Sequence, residues 1–171
     1  MSFEAFNIYL TPIEQSLRQL ANVEEIAEEI PARFPALRPD TEEASEGNTR
    51  WFVSETECGL FQVGVYENGA NSVRFVMQYA LSNPRSVYAP FCACASELMQ
   101  TYGLSLHVGA DAPPNQNLPD EITDTEDLCS LLLPAMDYNR FLWQSDMQTT
   151  EEIALRPGNA VARFLPDVLI H

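Results

Sequence analysis

Two of the chain's four cysteines, Cys92 and Cys94, stand one residue apart in the stretch FCACASELM. Such a pair can hold a metal ion, form a redox couple or fill space as two small apolar side chains. Pro90 fits the first position of a helix, and apolar residues then recur at steps of three and four up to Tyr102. On a helix, residues two apart point about 200° away from each other, which excludes a shared metal ion or a disulfide. We therefore interpret the pair as structural, with Cys94 on the apolar side of the helix.

The other cysteines and the histidines do not complete a recognisable catalytic or metal site. Cys58 precedes a glycine at a turn, Cys129 lies in the apolar stretch DLCSLLL, and there is no C-x-x-C pair. With only His107 and His171 available, no four-ligand zinc spacing is present. We predict no metal and no cofactor, and we expect the four thiols to be reduced.

Lysine is absent, since all nine basic side chains are arginine. Its absence excludes mechanisms that use a Schiff-base lysine or a phosphate-loop lysine. The motifs G-x-S-x-G, G-x-x-x-x-G-K-[ST], G-x-G-x-x-G and H-E-x-x-H are absent as well. Three explanations for the absence of lysine stay open: genome composition, a salt-adapted proteome, and proximity to a lysine-modifying activity. We predict that the protein is not an enzyme, with a Cys/His enzyme as a formal alternative.

Negative charge is the most informative feature of the composition. The chain has 25 acidic residues against nine arginines, a formal net charge of −16. No basic residue lies between Arg85 and Arg140, whereas eight acidic residues do, which is half of the net charge. A field of this sign repels nucleic acid and anionic membranes and steers basic partners inward. We predict a protein partner with a basic surface, and neither nucleic acid nor membrane; plain solubility is the alternative.

Two acidic segments supply the candidate partner-binding residues. The predicted helix VEEIAEEI carries like charges four residues apart, which cost an isolated helix roughly 0.2–0.5 kcal/mol per pair. The stretch DEITDTED at residues 120–127 lacks the alternating carboxylates and central glycine of a calcium loop. A solvated face, or acids favoured at a helix start, is the alternative for each segment. The candidates are Glu24, Glu25, Glu28, Glu29, Asp111, Asp120, Glu121, Asp124, Glu126 and Asp127.

Helices are predicted at the N-terminus. The stretch TPIEQSLRQL begins with a capping box, with Thr11 as N-cap and Glu14 three residues later, and predicts a helix over residues 11–21. Asn22 can cap a second helix, which Pro31 should weaken.

Strand periodicity dominates residues 49–80. TRWFVSET, GLFQVGVYE and SVRFVMQYA read as three antiparallel strands, and the Asn68-Gly69 pair favours a two-residue hairpin. After the helix that Gly103 can end, YGLSLHVG predicts a further strand with His107 on its polar face.

The C-terminal third contains a predicted helix and an ambiguous tail. Thr123 and Glu126 form a capping box for a helix that Pro134 should end or bend. Residues 151–165 fit a hairpin or two short helical pieces, and the hairpin is slightly favoured.

These elements predict an α+β fold with N-terminal helices, an antiparallel β meander of about three strands plus a further strand, and helices packed on one face. The expected organisation is an N-terminal helical segment over residues 1–34, an acidic linker or loop over 35–48 and an α+β core over 49–171, within one compact domain overall. The N-terminus does not read as a signal peptide, and no apolar run is long enough to span a bilayer, so we expect a cytoplasmic protein.

The predicted order of helices, three strands, helix and strand is similar to that of type III secretion chaperones, which are small, acidic and cytoplasmic. The segment after residue 109 departs from their pattern. Bacterial immunity proteins, which neutralise cognate toxins, also include small acidic α+β members. We expect an inhibitor or immunity protein that neutralises a basic toxin or effector; a chaperone-like adaptor that binds an effector segment is the alternative.

Overall fold

The structure is a computed structural model, and it describes residues 5–13, 22–40, 49–56, 59–67, 73–110, 113–114 and 116–146. The elements in chain order are strand β1 (Ala5–Pro12), helix α1 (Val23–Arg33), strands β2 (Arg38–Pro39), β3 (Arg50–Thr56), β4 (Gly59–Glu67) and β5 (Val73–Ala80), helix α2 (Tyr88–Tyr102), strand β6 (Leu104–Val108) and helix α3 (Leu128–Asp146). The fold is therefore α+β, as predicted. The predicted turn at Asn68-Gly69 and the tail over residues 151–165 lie outside the described residues.

The six strands form one antiparallel sheet in the order β2-β3-β4-β5-β1-β6. Strands β3, β4 and β5 pair with their neighbours in sequence. Strand β1 instead lies between β5 and β6, which come much later in the chain. The predicted meander of about three strands plus one is thus too small, because β1 and the two-residue β2 were not expected.

The prediction that the chain begins with helices is wrong at its start. Thr11 and the proline after it belong to β1 and not to a helix cap. The alternation of Phe6, Ile8 and Leu10, all fully buried, is the strand signal that the local capping box obscured. The remainder of that predicted helix, residues 14–21, lies outside the described residues.

One face of the sheet and helix α1 share the main hydrophobic core. Asn22 caps α1, since its side chain accepts a hydrogen bond from the backbone N–H of Glu25 at 3.0 Å. The helix buries Val23, Ile26 and Ile30 in the same cluster as the inward residues of the strands. It also continues through the proline at position 31.

Helix α2 packs on this face through aromatic rings. Phe91 makes edge contacts with Phe61 and Tyr79, at centroid distances of 5.5 and 5.2 Å. Tyr102 stacks on Phe75 at 5.4 Å. Such ring pairs contribute about 0.5–1.5 kcal/mol each beyond the area that they bury. The helix ends at the glycine after Tyr102, which adopts a left-handed conformation with φ 63°.

The first part of the predicted linker contacts the sheet. Leu37 is buried, and β2 pairs with β3. Asp40 is nearly buried, and its Oδ2 accepts a hydrogen bond from Gln62 Nε2 at 2.8 Å. Residues 41–48 lie outside the described residues.

Asn83, in the loop after β5, holds the start of β4. Its side chain is fully buried, accepts from Leu60 N at 3.0 Å and donates to Leu60 O at 2.7 Å. A Cβ atom on Gly59 would lie 2.2 Å from Asn83 Oδ1, so the approach requires glycine. The amide thus replaces a strand partner where the pairing of β5 has ended.

We predict that Asn83→Ala lowers the free energy of unfolding by about 2–4 kcal/mol, because both backbone groups of Leu60 lose their buried partner. Chemical denaturation measures this change. Asn117→Ala, at an exposed position, should change it by less than about 0.5 kcal/mol. Equal effects of the two substitutions would contradict the role given to Asn83.

Candidate functional site

Two of the four candidate glutamates on α1 are paired with arginines. Glu24 forms an ion pair with Arg50 of β3. Glu29 lies 3.6 Å from Arg33, one turn later on the same helix. These contacts neutralise part of the anionic face that the sequence predicts for α1.

The other two glutamates on α1 are exposed and have no cationic partner in the described part of the chain. Glu25 Oε1 accepts a hydrogen bond from Asn22 Nδ2 at 3.2 Å, which places it beside the helix cap. Glu28 faces solvent. Their charge is therefore available to a partner.

The second acidic segment is fixed to the edge of the sheet. Ile122 forms an isolated bridge with Leu106 of β6, in which each backbone N–H donates to the other residue's carbonyl at 2.8 Å. Next to it, His107 Nδ1 lies 2.8 Å from the carbonyl oxygen of Asp120. Because a carbonyl only accepts, Nδ1 carries the hydrogen of this bond. Both contacts hold the segment in one position against β6.

A tight turn follows before α3. Asp124 Oδ1 accepts a hydrogen bond from Glu126 N at 2.8 Å, and Asp127 adopts a left-handed conformation with φ 57°. The carbonyl of Asp127 then accepts from Leu131 N at 3.1 Å. The predicted capping box of Thr123 and Glu126 is therefore wrong, since α3 starts later than that box requires.

Helix α3 continues through Pro134, so of the predicted end or bend at this residue, the end does not occur. The flanking residues Leu132, Ala135 and Met136 are fully buried in the core cluster. Their burial, and the packing of α3 on α2, offset the backbone hydrogen bond that proline cannot donate.

The carboxylates of the second segment point to solvent. The exposed residues are Asp120, Glu121, Asp124, Glu126 and Asp127. None of them forms an ion pair with an arginine of the described residues. Asp111 lies outside the described residues.

Each of the two acidic segments contacts the C-terminal end of α2. Tyr102 donates its hydroxyl hydrogen to Glu29 at 3.1 Å, and Gln100 donates to Thr125 at 2.8 Å. Glu97, one turn earlier on α2, is exposed and adds a carboxylate that was not among the candidates. The helix C-terminus carries further partial negative charge. We call α1, the end of α2 and residues 120–127 together the acidic surface.

The two cysteines of α2 both lie against the core. Cys92 is 3% exposed and neighbours Cys129 of α3, whereas Cys94 packs at the margin of the core. Burial, with a smaller effect of the Glu97 charge, raises the pKa of Cys94 to about 12. Burial and the neighbouring thiol of Cys129 raise the pKa of Cys92 as well. Both thiols stay protonated at neutral pH, which is the reverse of an activated nucleophile.

Among the described residues, no group of three or more histidine, cysteine, aspartate or glutamate side chains is arranged to hold a metal ion. In the same part of the chain, no helix combines the length and apolar character needed to span a bilayer. Comparisons with protein families, with curated proteins and with solved structures find no match to this chain.

We predict that thiol titration leaves the free energy of unfolding unchanged below about pH 9 and lowers it as the pH rises from there toward 12. A thiol of the unfolded chain titrates near 9.0, whereas folded Cys94 keeps its proton to about 12, so in this interval deprotonation favours the unfolded chain. Burial of Tyr79 and Tyr88 raises the pKa of each phenol and acts in the same direction. Denaturation curves from pH 7 to 11 measure the effect.

Cys94→Ser is the control for this prediction, because serine does not titrate in this range. Its free energy of unfolding should fall less steeply, by about 1.4 kcal/mol per pH unit for the one proton removed. An unchanged slope would show that Cys94 is not a buried thiol.

Proposed function

We propose that the protein is a non-enzymatic inhibitor or immunity protein that neutralises a basic toxin or effector through its acidic surface. The observation that carries the proposal is the pair of hydrogen bonds at the end of α2. They join Glu29 of α1 and Thr125 of the second segment to one helix terminus. Both acidic segments are thereby fixed to the end of one helix, on two sides of it, because residues two apart on a helix point about 200° away from each other.

Rigid presentation of the second segment supports the proposal. The bridge at Ile122 and the hydrogen bond from His107 to the Asp120 carbonyl fix its backbone before any partner arrives. A pre-organised surface loses less conformational entropy on binding. A sequence selected only for solubility has no need to fix the backbone that carries its carboxylates.

Exposed carboxylates without an ion-pair partner also support the proposal. Arg50 and Arg33 pair with glutamates of α1, whereas none of the exposed carboxylates of residues 120–127 pairs with an arginine of the described residues. We infer that residues 120–127, together with Glu28 and Glu97, contribute more to a basic partner than Glu24 does. A surface of this kind increases the association rate of a basic protein and repels nucleic acid.

The proposed compartment is the bacterial cytoplasm. Cys92, Cys94 and Cys129 are free thiols. Free thiols suit a reducing compartment.

We predict that replacing three carboxylates of the acidic surface with amide side chains weakens partner binding. The variant carries Asp120→Asn, Glu121→Gln and Glu126→Gln; Asp124 is kept because its carboxylate accepts the bond that forms the turn. The association rate with the captured basic partner should fall by about tenfold at low salt, and raising salt should slow association far more than it speeds dissociation. Stopped-flow measurements at several salt concentrations test both statements.

The matched control neutralises Glu42, Glu43 and Glu46, which removes the same three negative charges from a region distant in sequence. This variant should associate less than twofold more slowly. A captured partner that is itself acidic, or equal effects of the two variants, would refute the proposal. Inhibition of a folded basic partner at a 1:1 ratio would support it, whereas binding of an extended effector segment would favour the chaperone-like alternative.

A further inference from the structure

The face of the sheet turned away from α1 and α2 carries a pocket that the proposed function does not use. The pocket has a volume of about 430 Å³, within the range of small-molecule sites. The described residues that line it are Tyr9, Thr11, Tyr66, Arg74 and His107. They alternate along their strands with the residues of the core, which places them on the opposite face.

Strand pairing brings these side chains together from four strands. Tyr66 of β4 lies opposite Arg74 of β5, and Tyr9 of β1 lies opposite His107 of β6. Because β1 separates β5 from β6, the arginine and the histidine flank the β1 side chains. Cross-strand neighbours on one face are close enough for their side chains to interact.

Arg74 is the unusual member of this group. Its Nε atom is buried and has no hydrogen-bond partner. Its guanidinium forms no ion pair with any carboxylate of the described residues, although the chain has a net charge of −16. Because Arg74 lines the pocket, the part of its guanidinium that faces the pocket can pair with an anionic ligand there.

Both ring nitrogens of His107, which lines the pocket, already have hydrogen-bond partners in the protein. His107 Nδ1 bonds to the Asp120 carbonyl, and Nε2 lies 3.1 Å from Thr11 Oγ1 and 3.3 Å from Ser105 Oγ. A neutral ring that donates from Nδ1 accepts a hydroxyl hydrogen at Nε2. The unsatisfied charge in the pocket is therefore that of Arg74.

Aromatic side chains provide the rest of the lining. Tyr9 is 37% exposed, and its ring is held against Gly109, where a Cβ atom would lie 2.4 Å from the ring carbon Cε2. Tyr66 lies across from Arg74, and burial raises the pKa of its phenol, which keeps the hydroxyl hydrogen available for donation. Two rings beside one guanidinium suit a ligand with a flat apolar body and one negative charge.

We propose that this pocket binds a small aromatic carboxylate, whose two oxygens pair with the guanidinium of Arg74 and whose ring lies against Tyr9 and Tyr66. A planar carboxylate matches the fork of one guanidinium bidentately. A phosphate dianion would bring more charge than one arginine balances in so acidic a chain. This site shares no ligand-contacting residue with the acidic surface, so its failure leaves the proposed function unaffected.

Benzoate is the probe, and the shifts of backbone amides in a ¹H–¹⁵N NMR titration of the full chain are the measurement. Wild-type protein should show saturable shifts for amides of β1 and β5, with a Kd below about 10 mM. Benzamide, which has the same shape without the charge, should bind at least about tenfold more weakly. Inorganic phosphate should also bind more weakly than benzoate.

Arg74→Lys keeps the positive charge but removes the planar fork, and Arg74→Gln removes the charge. Both should weaken benzoate binding at least about tenfold. Arg85→Gln is the matched control, since Arg85 is an exposed arginine paired with Asp137 elsewhere, and it should bind benzoate like the wild type.

Two results would overturn the proposal. One is that the amide shifts of the wild type do not saturate with benzoate, and the other is that wild type and Arg74→Gln bind benzoate with equal affinity. Preference for phosphate or equal binding of benzamide would overturn the carboxylate assignment. If both Arg74 variants fail to fold, the comparison of benzoate, benzamide and phosphate on the wild-type protein decides the question alone.

Discussion

The fold depends on the insertion of β1 between β5 and β6. This one strand pairs along both of its edges, so among the described strands β6 joins the sheet only through it. Its inward residues Phe6, Ile8 and Leu10 occupy the centre of the core, while Tyr9 and Thr11 line the pocket on the opposite face. Because successive strand residues alternate between faces, the same eight-residue segment builds the core and the pocket at once.

At the edge of the sheet that β6 forms, the acidic surface and the pocket come close to each other. The backbone of β6 is partly covered by the bridge from Ile122, which removes open hydrogen-bonding groups from an edge strand. His107 of β6 contacts Thr11 in the pocket through one ring nitrogen and the Asp120 carbonyl through the other. The imidazole therefore fixes the acidic segment and one wall of the pocket with a single side chain.

Local signals in the sequence predicted the elements that form through local contacts. The cap at Asn22, the alternation in β3 to β5 and the left-handed Gly103 all appear in the structure, because each depends on neighbouring residues. The capping box at Thr11 was misleading, since pairing with two distant strands outweighs a local helix preference. For the same reason the buried neighbours of Pro134 keep α3 continuous where local preference predicts an end or a bend.

The candidate residues were found by charge, but their arrangement was not predictable from charge. Nothing in the sequence connects α1 with residues 120–127, because the link runs through Tyr102 and Gln100, two residues with no feature that distinguishes them from other helix positions. The role of Arg74 is not predictable from the sequence for a related reason: an arginine on the outward face of a strand is typical of a solvated position until its neighbours are known. An acidic chain has many carboxylates able to neutralise an arginine, so the absence of such a pair at Arg74 in the described structure is informative. Arg140 also has no ion pair among the described residues, but it donates to the Asn83 carbonyl, whereas Arg74 has a buried donor with no partner. In a protein of this charge, a guanidinium in that state points to a ligand more strongly than one more exposed glutamate does.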